Sequence, residues 1–171
     1  MKPLPGLDDL LDEIASAGLL GVKMRCILRL PNAAGIEDML SQLFDFAKRI
    51  CAKGLVPMLQ PEVDIKSPDQ AKCEKILLRL LMQELEKLDD EKIVLGLTLA
   101  SRANTYLSIT AHPRVIRVVA PSTGLNLADS VKALKLNVGV IASFGRAFVQ
   151  GLSSTQTDED FSNSMCDACK T

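Results

Sequence analysis

Apolar residues along this chain alternate between two spacings, recurring every third or fourth position and then closing into short unbroken runs. Leu7, Leu10, Leu11 and Ile14 fall at helical spacing behind the acidic pair Asp8 and Asp9, which suits a helix N-terminus, and Gly18 can end that helix. Residues 21–28 then read as a buried strand, and Pro31-Asn32 as a turn. Ile36, Met39, Leu40, Leu43, Phe44, Ala47 and Ile50 restore a helical face, which Gly54 should stop. The alternation repeats: strand 55–60, helix 69–88, strand 93–99, a shorter helix 104–111, strand 115–120, helix 127–134, strand 138–143 and a helix from 145.

Five strands with single helices between them must run parallel, because each crossover returns the chain to the same end of the sheet. The expected class is therefore α/β, with one unit over residues 1–152. From Ser153 to Thr171 the composition turns polar, and Asp158, Glu159 and Asp160 predict the start of a surface helix, held down by Phe161 and Met165. The 171 residues suffice for one domain that buries roughly 70% of its unfolded surface.

Composition removes several functions without naming one. Basic and acidic side chains number 20 and 21, so no nucleic-acid footprint is present, and the absence of Trp argues against a stacking platform for single strands. No run approaches the ~20 apolar residues of a membrane span, and residues 1–6 lack the apolar core of a signal peptide; neither membrane nor nucleic-acid partners are expected, and a cytoplasmic protein is. The cysteines, Cys26, Cys51, Cys73, Cys166 and Cys169, are odd in number and read as reduced thiols. Cys166 and Cys169 have ligand-like spacing but supply only half a zinc site, with His112 a third ligand at best, so no metal and no cofactor are expected.

In parallel sheets ligands bind beyond the carboxyl ends of the strands, and polar residues collect there. Lys23 and Arg25 lie two apart on the first strand and share a face, as do Gln60 and Glu62 around Pro61 on the second. The fourth strand ends in Pro121-Ser122-Thr123-Gly124 and the fifth in Ser143-Phe144-Gly145-Arg146. Small residues at 122–124 let backbone N–H groups approach an anion, and Arg146 adds a fork of donors. An ordinary turn with a solvated arginine would look the same. Lys23 and Arg25 tilt the reading, since only Glu62 is an evident acidic neighbour and an anionic ligand would balance the excess.

Several blocks in fixed order carry a family resemblance: Val22-Lys-Met-Arg25, Ala52-Lys-Gly-Leu-Val-Pro57 followed by Pro61-Glu-Val63, His112-Pro113 before Arg117-Val-Val, and Ile141-Ala-Ser-Phe-Gly-Arg-Ala147. From Lys2 to Phe161 the chain closely resembles the bacterial type of class I fructose-bisphosphate aldolase, a TIM (β/α)8 barrel that cleaves fructose 1,6-bisphosphate through a lysine Schiff base. The resemblance implies a partial barrel, its fourth to eighth strands, and a sugar phosphate, fructose 1,6-bisphosphate or dihydroxyacetone phosphate, as ligand. It makes Lys23 and Arg25 a substrate-touching pair, Ser122 and Gly124 a phosphate loop in which Thr123 replaces a glycine, and Arg146 a phosphate-holding arginine. Glu62 becomes the second carboxylate of a Glu-Pro-Glu motif.

The departures fall on the chemistry. The first glutamate of that motif, an acid/base residue, is Gln60 here, and an amide exchanges no proton near neutral pH. The position of the Schiff-base lysine is Gly96, so no imine can form there. Lys92 stands roughly 13 Å upstream along the strand, and Lys23 would have to leave its own role to substitute. Of the catalytic set, Glu62 and Lys23 remain. Two readings stay open: an aldolase whose recorded chain is shortened, because Met1 falls inside the family pattern, or a non-catalytic module that binds a sugar phosphate or a partner. A third, structural reading follows from the strands themselves: five strands cut from a barrel leave unpaired edges at 21–28 and 138–143, which invite a homo-oligomer.

Overall fold

The computed structural model describes residues 4–122, 124–145, 149 and 151–170. Its elements are α1 (Leu7–Ser16), β1 (Gly21–Leu28), α2 (Ala33–Ala52), β2 (Val56–Val63), α3 (Gln70–Leu85), β3 (Ile93–Gly96), α4 (Leu107–Thr110), β4 (Val115–Pro121), α5 (Leu127–Leu134), β5 (Val140–Ser143) and α6 (Asp158–Lys170). Among the described residues the five strands form one parallel sheet in the order β1-β2-β3-β4-β5, an α/β fold compatible with part of a TIM barrel. Each strand lies beside its predecessor, so β1 and β5 are the two edges.

Two of the helices begin where a side chain satisfies an open backbone donor. Asn32 caps α2 by accepting from the Gly35 N–H at 3.1 Å, and Asn126 caps α5 by accepting from the Asp129 N–H at 2.8 Å. The helical face predicted for α2 is buried as a block, with Ile36, Leu40, Leu43 and Phe44 packed with Leu59 of β2 and with Leu77 and Leu81 of α3. This cluster covers one face of the sheet. A smaller cluster joins Leu7 and Leu11 of α1 to Phe46 and Ile50 of α2, and another places Phe144 beneath α5.

Differences from the predicted boundaries have local causes. β2 runs to Val63 rather than ending at 60, despite Pro61. The even-numbered residues of β2 donate toward β1, as the Val56 N–H to Leu20 and the Asp64 N–H to Leu28 show. Pro61 therefore faces the β3 side, where pairing has already stopped at Leu59–Leu95, and its missing N–H breaks no ladder bond. β3 ends at Gly96 instead of 99, although the Leu97 N–H still reaches Val119 at 2.9 Å. Beyond it the loop is drawn away to Ser101, whose backbone and hydroxyl both donate to Glu74 of α3. β5 starts at Val140, because Gly139 turns at φ 77, a conformation that no extended strand contains.

The tail helix forms as its acidic first turn predicts, but the expected anchoring does not occur. Phe161 is 47% exposed and no residue of α6 is buried. A 13-residue helix with net polar faces satisfies its own backbone without docking. The predicted helix from 145 lies largely outside the described residues. The packing makes a direct prediction: Leu59→Ala, at a fully buried site between β2 and α2, should lower stability by about 3 kcal/mol, read as a shifted urea midpoint with unchanged slope.

Candidate anion-binding site

The face of the sheet turned away from α2 and α3 carries the polar side chains. Register sets Arg25 beside Gln60 and Ile27 beside Glu62, while Val119 stands opposite Gly96 and Ser143 opposite Pro121. Alternation along each strand then points Lys23, Arg25, Gln60 and Glu62 to the same side. These four, with Pro121, Ser122, Ser143 and Gly145, line a cleft of about 280 Å³ at the carboxyl ends of β1, β2, β4 and β5. Strand carboxyl ends are where ligands of parallel sheets sit.

Glu62 organises the cleft. Its residue is 1% exposed, so a bare carboxylate there would be strongly disfavoured. Arg25 answers it bidentately, Nε donating to Oε1 at 2.6 Å and Nη2 to Oε2 at 3.0 Å. Gln60 Nε2 also donates to Glu62 Oε1. The pairing raises the Arg25 pKa, so that side chain stays cationic throughout the working range. Arg25 keeps 48% of its side chain exposed, and of its five N–H donors about three remain for other acceptors. Lys23, exposed on the same face, makes no hydrogen bond or ion pair among the described residues.

The loops complete the rim. Gly124 turns at φ 81, and a Cβ there would also lie 2.6 Å from Ile65 Cδ1, so glycine lets the loop after β4 close against the segment after β2. Ser122 lies on the cleft wall, and Thr123 and Arg146 are outside the described residues. Of the predicted site residues, Lys23, Arg25, Gln60, Glu62 and Ser122 line one cleft, and Gly124 stands in the loop beside it. Gly96, at the end of β3, presents no side chain, and a Cβ built on it would meet Gln60.

Ser143 and Gly145 at the end of β5 were not among the predicted site residues, although their position at a strand carboxyl end was a usable signal. Glu74 is a second buried carboxylate that helical spacing alone could not reveal as a polar hub. It accepts from Gln70 Nε2 at 2.7 Å, Ser101 N at 2.9 Å and Ser101 Oγ at 2.6 Å, and pins the loop after β3. Among the described residues no three His, Cys, Asp or Glu side chains could hold a metal ion together. Cys166 and Cys169 lie exposed on α6, and His112 is bound up with Glu86 and the Arg114 N–H.

A single parallel sheet with helices between its strands, and a cleft at the strands' carboxyl ends that gathers Lys23, Arg25 and Glu62, defines a class, the β/α proteins with a strand-end site. Comparison with known proteins narrows it. No family model matches the chain. It is 44% identical over 168 residues to the class 1 fructose-bisphosphate aldolase of Porphyromonas gingivalis, covering 98% of this chain and 57% of that protein. Against the class 1 fructose-bisphosphate aldolase of Synechocystis it is 42% identical over 98% of its length and 56% of the relative's. Against that of Clostridium acetobutylicum it is 39% identical, over 99% and 58%. The chain is thus a homologue of the class 1 fructose-bisphosphate aldolases along nearly all of its length, and it spans somewhat more than half of theirs.

Two outcomes follow from this geometry. Arg25→Ala takes a bidentate donor from the buried Glu62 carboxylate and should cost about 2 kcal/mol, and Arg25→Lys, which keeps the charge but loses the fork, about half of that; urea unfolding at pH 7 measures both. The Cys26 thiol, pushed up to about 11 chiefly by burial and secondarily by Glu62, keeps its proton in the folded chain after the unfolded chain has lost it. Stability from this group is therefore constant below pH 9 and falls between 9 and 11. Cys26→Ala should flatten that part of the stability-against-pH curve.

Proposed function

We propose that this chain binds a sugar phosphate of the aldolase type, fructose 1,6-bisphosphate or dihydroxyacetone phosphate, and holds it without forming an imine. The observation that carries this reading is a cleft that gathers two cations, with a bare glycine on β3 behind its lining residue Gln60. Lys23 and the open donors of Arg25 supply positive charge, Ser122 and the backbone near Gly145 supply neutral donors, and Gly96 supplies nothing. The resemblance puts the imine-forming lysine at Gly96 and an acid/base glutamate at Gln60. Imine chemistry needs an unprotonated amine and a proton carrier, and neither residue offers one.

Aldol cleavage is therefore assigned to the relatives and not to this chain, whose retained part is the phosphate grip. Lys23, Arg25, Ser122, Gly124 and Arg146 form that grip, and Glu62 holds Arg25 in place. No cofactor is invoked, and a cytoplasmic location suits a phosphorylated metabolite and unpaired thiols. Among the described residues no helix is long and apolar enough to cross a membrane.

A second reading concerns assembly. β1 and β5 are bonded on one side only, and Ile27 and Ile141, both about half exposed, stand on these edges. Edge-to-edge pairing of two copies would bury them. Sedimentation equilibrium should give a dimer or larger, and a well-folded monomer at micromolar concentration contradicts this reading.

Incubation with dihydroxyacetone phosphate and borohydride, followed by mass measurement, tests the main one. The chain should gain no mass, while calorimetry detects binding that Lys23→Ala weakens about tenfold. A borohydride-trapped adduct on any lysine overturns the proposal.

A further inference from the structure

The two departures from the aldolase pattern meet in space. A Cβ placed on Gly96 would lie 2.7 Å from Gln60 Cγ and 3.1 Å from both its Cβ and Cδ. These are the atoms at the root of the Gln60 side chain and not its free end, so a small shift of the amide does not clear them. Gln60 can lie where it does because residue 96 has no side chain. Its amide, in that place, donates to Glu62 Oε1, and Glu62 in turn grips Arg25 through Nε and Nη2.

We infer that Gln60 and Gly96 form an interlocked pair in which Gln60 is the positioning residue for the anion-binding edge of Arg25. Three groups in series do this. Gly96 leaves the space, Gln60 fills it and fixes Glu62, and Glu62 fixes the guanidinium so that its remaining donors stay with the cleft. The residue at 60 is here a neutral donor to Glu62, where a second carboxylate would accept and not donate and would compete for Arg25. The amide is therefore a working part of a noncovalent site rather than only the loss of an acid. It also follows that a side chain at 96 would displace Gln60 from the place it occupies here.

The ligand in this inference rests on the function proposed above, whereas the interlock does not, and the two are tested separately. Inorganic phosphate serves as the probe, with thermal unfolding and the ¹⁵N–¹H signal of Arg25 Nε–Hε as readouts. Gln60→Met keeps the length and bulk of the side chain but donates nothing. It should still fold, with an unfolding temperature lowered by the loss of one donor to the buried Glu62, weaken phosphate binding about fivefold to tenfold, and speed exchange of the Arg25 Nε–H. Gly96→Ala should lower the unfolding temperature clearly in the unmodified chain and little in the Gln60→Ala background, where the space is vacant. Should Gly96→Ala alone fail to fold, recovery of folding in Gln60→Ala/Gly96→Ala supports the interlock, and failure in both backgrounds overturns it. Equal destabilisation by Gly96→Ala in both backgrounds, or an unchanged Arg25 signal in Gln60→Met, also overturns it. If the unmodified chain shows no phosphate binding, the ligand assignment falls, and the interlock is decided by the Arg25 signal and the paired substitutions.

Discussion

A charge with almost no exposure has to be answered from several directions, and Glu62 is that charge. Its two oxygens take Arg25 from β1 and Gln60 from its own strand. That arrangement requires β1 and β2 to be parallel and in one register, with Arg25 beside Gln60. It also requires an empty position beside Gln60 on β3, which Gly96 provides. The cleft is in this sense shaped by satisfying one carboxylate: Arg25 is held by it, and Lys23 follows on the same face of β1.

The same requirement shows how the proposed phosphate grip could coexist with a glycine at the position the resemblance gives to the amine. The grip draws on β1 and on the ends of β4 and β5, and the amine position belongs to β3. A change at the end of β3 alters the space open to Gln60 without moving Lys23, Ser122 or Ser143. In the function proposed here, binding and bond-making would be carried by different strands of the sheet, so that one could be kept where the other is absent. This separation is general to sites built at strand ends, where each strand contributes one or two groups.

Much of the architecture was readable because parallel strands and their covering helices have different apolar periods. The burial of Ile36, Leu40, Leu43 and Phe44 on one stripe of α2 follows from spacing alone. Strand ends were harder to place, since they depend on partners remote in sequence: Pro61 is tolerated in β2 only because β3 has stopped pairing, and β3 stops where Glu74 holds Ser101. Tail docking was misjudged because an apolar side chain such as Phe161 fixes a helix only if a complementary surface faces it. At the site, the charged residues were legible from their isolation among apolar neighbours, and the resemblance marked Gln60 and Gly96 as departures. That these two meet was not, because the 35 positions between them say nothing about side-chain contact across a sheet.

Dihydroxyacetone phosphate bound to the crystalline protein would examine the central claim, noncovalent holding of a phosphate at the strand ends, most directly. The account predicts phosphate density between Lys23, Arg25 and Ser122, a carbonyl carbon unattached to any side chain, and Gln60 still seated beside Gly96. Density continuous with a lysine, or a phosphate lodged away from this cleft, would contradict it.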